Sequence, residues 1–104
     1  MEILWRKSAI DSLIELDRWR SSIELSPIAS YLKNTIQIYF ERQDFSIYIP
    51  GRQVLIRQMP VDLRMVLISV GKSDPYKIFY RLNSQQIEIF LIRHPYQRAL
   101  DIPF

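Results

Sequence analysis

The chain has 104 residues with one histidine and no cysteine, 48% of them hydrophobic and 12% aromatic. That suits one domain (residues 1–104) with side chains enough for a core, and it argues against a disulfide scaffold, a thiolate metal site or a disordered chain. The net charge of +3 is lopsided: residues 1–50 carry six basic against seven acidic side chains and residues 51–104 eight against four, so the C-terminal half suits an anionic partner.

Residues 2–7, EILWRK, put Ile3 and Trp5 on one face and predict a first strand. Ser8 then precedes a helical pattern with Asp11 three residues on, a variant of the capping box, and the helix is expected over 8–22 with Ile10, Leu13, Ile14 and Trp19 on its apolar stripe. Ser26-Pro27 signals a second helix to about residue 42, because proline at the first position lacks only an amide that would be unpaired anyway. Ile28, Leu32, Ile36 and Tyr39 or Phe40 keep helical spacing, so the two helices form an antiparallel hairpin.

Over residues 45–60, Pro50-Gly51 and Pro60 break the pattern into turns and short extended pieces. Three strands follow at 63–69, 76–82 and 86–94, rich in β-branched and aromatic residues, with Gly71, Ser73, Asp74 and Pro75 in the first gap and a tight hairpin at Asn83-Ser84. The order is β-α-α-β-β-β, an α+β chain. No run approaches the roughly 18 apolar residues of a membrane span, and no apolar run follows the first basic residues. The expectation is a soluble, cytoplasmic protein with no membrane contact, no cofactor and no metal, the acidic residues being scattered singly around the lone His94.

Pro50-Gly51-Arg52, Leu63-Arg64, the run Tyr76-Lys77-Ile78-Phe79-Tyr80-Arg81 and the stretch Ile87 to His94 stand in one order over nearly the whole chain. Together they resemble the RelE/ParE superfamily of type II toxin–antitoxin systems, whose members carry PGR, LR, YxIxYR and IxIxxIxH in that sequence. The resemblance implies a twisted antiparallel sheet with the N-terminal strand and helical hairpin packed on it. It also implies growth inhibition, plasmid stabilisation and a hetero-oligomer with a cognate antitoxin. RelE-like members cut messenger RNA on the ribosome; ParE-like members poison DNA gyrase.

A ribosome-dependent endoribonuclease needs a base, cations for the phosphate charge and an acid within hydrogen-bond reach. Pairing Ser69 with Tyr76 and Leu82 with Gln85 sets Val66 against Phe79, Ile68 against Lys77 and Lys77 against Phe90. Lys77, Arg93, His94, Tyr96 and Arg98 then gather at one end of the sheet, and Lys77, Arg93, His94 and Tyr96 are the candidate catalytic set. The positions facing Lys77 are apolar, however, and an apolar floor cannot shuttle a proton, which favours the binding toxin over the nuclease. A non-toxic adaptor for an acidic protein is the third reading.

The candidate target contacts are Arg64, Lys77, Arg81, Arg93, His94 and Arg98. In this register Arg64 and Arg81 face each other, and like charges so placed call for an anion; Glu88, or an acidic helix residue, is the internal alternative. His94 reads either as a site group or as a strand-end histidine satisfied by backbone, the second favoured, and Tyr96 either as a site group or as packing on the sheet edge. Arg52 and Arg57 read as loop charges before they read as an extension of the basic surface. The tail Ala99 to Phe104 has two open fates, folding back on the core or meeting the partner.

Overall fold

The computed structural model describes residues 1–72 and 74–95. Strand β1 (Glu2–Trp5) leads into helices α1 (Lys7–Ser22) and α2 (Ala29–Glu41), followed by β2 (Arg52–Gln53), β3 (Arg64–Ile68), β4 (Tyr76–Asn83) and β5 (Gln86–Arg93). The α+β fold is a five-stranded sheet in the order β1-β5-β4-β3-β2. The sheet is mixed, which corrects the wholly antiparallel one expected: β1 runs parallel to β5, Glu2 beside Gln86 and Trp5 beside Ile89. The reason is connectivity, since both helices and three strands intervene before the chain returns alongside its first strand.

Among the described residues the edge of β5 beyond Trp5 has no strand beside it, and α1 takes the strand's place. Arg6 N donates to Ile89 O (3.0 Å), Ser8 Oγ to Phe90 O (2.5 Å), and Ser12 Oγ accepts from Ile92 N (3.1 Å). Two serines one helical turn apart thus satisfy backbone groups that burial would otherwise leave costly. Ser8 is therefore not the cap expected of it. The N-cap is Arg6, with no side-chain cap bond.

The second helix start is also capped from elsewhere. Ser26-Pro27 precedes it, yet Asp17 Oδ1 on α1 accepts from Ile28 N (2.7 Å) and Ala29 N (3.0 Å). One carboxylate closes the hairpin and faces the positive end of α2.

The main core lies between the helices and one face of the sheet. Ala9, Leu13 and Leu16 of α1 and Leu32, Ile36 and Phe40 of α2 bury against Val66, Ile68, Tyr76, Ile78, Tyr80, Ile87, Ile89 and Ile92. Each large side chain so buried contributes roughly 1.5–3 kcal/mol. The stripe of α1 runs through Ala9, Leu13 and Leu16, so Ile14 and Trp19, expected on it, are instead 50% and 42% exposed. On α2 the expected Leu32, Ile36 and Phe40 are all buried.

The segment before β2 is pinned from beneath. Tyr80 Oη donates to Pro50 O at 2.5 Å, while the Arg64 guanidinium donates to Gly51 O (2.8 Å) and Pro50 O (3.3 Å). Burial pushes the Tyr80 hydroxyl up to about 12 despite the opposing pull of Arg64. Gly51 adopts φ +81° so close to β3 that a Cβ there would stand 2.2 Å from Met65 O; only glycine fits.

Candidate binding face

Side chains alternate across a strand, and the face of the sheet turned away from the helices carries Lys77, Phe79 and Arg81 of β4. The observed register pairs Leu67 with Lys77, Val66 with Ile78 and Arg64 with Tyr80. It is one residue off the expected one, which set Ile68 against Lys77 and Val66 against Phe79. On β5, Lys77 stands opposite Arg93, not Phe90, and Arg81 opposite Glu88. A bulge between Phe79 and Tyr80 shifts the ladder there and leaves Phe90 between the rows.

Two consequences follow for the cations. Arg64 does not face Arg81: it lies on the Tyr80 side, and its guanidinium is occupied by the carbonyls of Pro50 and Gly51. The adjacent like-charged pair is instead Lys77 and Arg93, directly opposite on neighbouring strands and bordered by Leu67, itself 53% exposed. Val66 and Ile68, expected as the apolar positions facing Lys77, instead pair with Ile78 and Tyr76 on the helix-covered side, and the neighbour of Lys77 on β3 is Leu67.

Arg81 is neutralised internally, as the Glu88 alternative allows. Glu88 is only 3% exposed and receives Arg81 Nε (3.0 Å) and Nη2 (2.6 Å), Arg6 Nη2 (3.3 Å) and Asn83 Nδ2 (3.4 Å). Burial alone would raise its carboxyl, but the hydrogen bonds from Arg81 and Asn83 and the charges of Arg81 and Arg6 outweigh it and hold it below the ordinary value. Both guanidiniums also lie over the Phe90 ring, at 5.5 Å for Arg6 and 5.7 Å for Arg81. Arg81 is among the expected contacts; Arg6 is not, its only signal being a cation directly after a strand.

Between the two charged ends sits a smaller apolar cluster. Ile56 and Leu63, from the segment joining β2 to β3, bury against Phe79 with Val54, Met59, Met65, Phe90 and Leu91 around them. The segment is closed by Val54 N to Leu63 O (2.9 Å) and Gln53 Nε2 to Val61 O (3.1 Å). Arg52 and Arg57 are exposed.

His94 does not join Lys77 and Arg93. It is 9% exposed, with its ring 4.5 Å from that of Trp19 on α1 and 5.6 Å, edge-on, from that of Tyr76, on the helix-covered side. Burial, then the charge of Arg20, lowers its pKa below the ordinary imidazole value. Tyr96 and Arg98, and the tail from Ala99, lie outside the described residues.

Among the described residues no three His, Asp or Glu side chains converge as metal ligands, and no helix is long and apolar enough to cross a membrane. Comparison of the chain with protein-family models, with curated proteins and with solved structures returns no match.

Proposed function

We propose that the chain is the toxin of a type II toxin–antitoxin pair of the RelE/ParE kind, acting in the cytoplasm by gripping a macromolecular target. DNA gyrase is the favoured target and a cognate antitoxin the natural partner. The element order, the helical hairpin over one face of the sheet and the YKIFYR strand beside IEIFLIRH support the kinship.

One observation carries the preference for binding over cleavage. Lys77 and Arg93 present paired positive charge on the helix-free face, whereas the one imidazole is packed between Trp19 and Tyr76 on the other. Two adjacent cations suit an anionic partner; among the described residues the imidazole that could move a proton lies on the other face.

The test is direct. Induced expression arrests growth, and the purified chain blocks gyrase supercoiling while a message on programmed ribosomes stays intact. Codon-specific cuts in the message would overturn this reading in favour of the nuclease, and normal growth would favour the adaptor.

A further inference from the structure

At the far end of the helix-free face, away from Lys77 and Arg93, Arg6 and Arg81 converge on one buried carboxylate. Glu88 takes Nε and Nη2 of Arg81 and Nη2 of Arg6, and Nη1, on the outer edge of each guanidinium, makes no hydrogen bond among the described residues. The two side chains remain 44% and 28% exposed. The two-bond fork to a buried acceptor fixes the plane of Arg81, one bond and the Phe90 ring beneath it orient Arg6, and guanidiniums so held suit the geometry of a carboxylate or phosphate.

The chain already places a carboxylate at that outer edge. Asp62 Oδ1, from the segment crossing this face, stands 4.0 Å from Arg81 Nη1, and its side chain is 56% exposed. That separation is beyond hydrogen-bond range. Asp62 marks the position without filling it.

We infer that Arg6 and Arg81, aligned by Glu88, form a receptor for an acidic side chain of a partner protein, in which Asp62 is a weak internal competitor that the partner displaces. The inference deepens the binding reading above by giving the partner's chemistry at a second place on the same face. A protein carboxylate is favoured over single-stranded nucleic acid because, among the described residues, the ring at this place is Phe90, which lies under both guanidiniums and is packed by the crossing segment. It offers no open platform for a base.

The probe is a synthetic peptide of alternating Glu and Ala, with its Gln counterpart and an oligothymidylate of equal charge as controls, titrated by calorimetry and by the arginine Nε–H signals. Asp62→Asn and Arg6→Gln leave the Arg81–Glu88 pair intact, and thermal melting verifies that both fold. The receptor predicts that Asp62→Asn binds the Glu peptide about two- to fivefold more tightly, the range that one exposed ion pair commands, and that Arg6→Gln binds it more weakly by a similar factor. The Nε–H signals of Arg6 and Arg81 should move with the Glu peptide and not with its Gln counterpart.

A purely structural network predicts unchanged affinity in Asp62→Asn, and that result overturns the inference, as does tighter binding of the oligonucleotide. Growth is scored separately. A chain that arrests growth while neither variant alters peptide affinity overturns the receptor and leaves the toxin reading standing; a chain that binds as expected but permits growth does the reverse.

Discussion

On the helix-covered face of β4, Tyr76, Ile78 and Tyr80 are each no more than 2% exposed. On the opposite face of the same strand Phe79 alternates with the half-buried Lys77 and Arg81. Among the described residues, the first face is covered by two helices and packs fifteen buried residues into one cluster, while the second is covered by one crossing segment and packs three. What a strand face becomes is set by what lies over it. A helix pair supplies apolar area enough to carry stability, while a thin cover leaves room for charge, and the charge is where recognition is possible.

That contrast can be broken by substitution. Phe40→Ala removes a ring packed 4.7 Å from Tyr80 in the main core and should cost about 3–5 kcal/mol, much of the stability of a domain this size. Phe79→Ala, beneath a segment that can settle into the gap, should cost less, nearer 2–3 kcal/mol, because the penalty depends on how far a site collapses. Urea denaturation of the two variants decides it, and equal costs would erase the distinction between the faces.

Glu88→Gln comes next, at about 2 kcal/mol, since it weakens several charge-assisted hydrogen bonds in a buried place. Its pH signature is sharper than its size. The folded pKa lies below the ordinary 4.5, so the stabilisation from Glu88 is fully present above pH 4.5 and is lost as pH falls through the folded value. The wild-type chain should lose stability in that acid window, and the Gln variant should lose less.

Ser12→Ala should cost about 1–2 kcal/mol by leaving Ile92 N–H without its acceptor, and amide exchange at Ile92 should accelerate. The smallest effect belongs to His94. Its folded pKa lies below the ordinary 6.5, so its contribution is complete above pH 6.5 and declines as pH falls through the folded value. Melting temperatures of His94→Gln should be flatter than wild type across that range.

Much of this fold is legible in the chain because periodicity survives folding. Leu32, Ile36 and Phe40 repeat at four-residue spacing, and QIEIFLIR is apolar enough to announce a strand. Register is not legible, because MVLI in β3 is apolar on both faces and so tolerates a slip by one residue without exposing a polar group to the core. That slip decides whether Arg64 meets Arg81 or the Pro50 carbonyl. The capping of α2 by Asp17 and the edge bonds of Ser8 and Ser12 are invisible for another reason: each joins groups that only the finished tertiary arrangement brings together.

The parallel seating of residues 2–5 beside 86–89 has a temporal side. Translation delivers residues 2–5 well before residues 86–89, so the sheet edge, and the Glu88 cluster reached by Arg6, cannot close until the second stretch has been made. Contacts separated by some 82 positions in sequence also slow closure once synthesis is complete. A nascent chain therefore lacks its finished charged surface until β5 has been made.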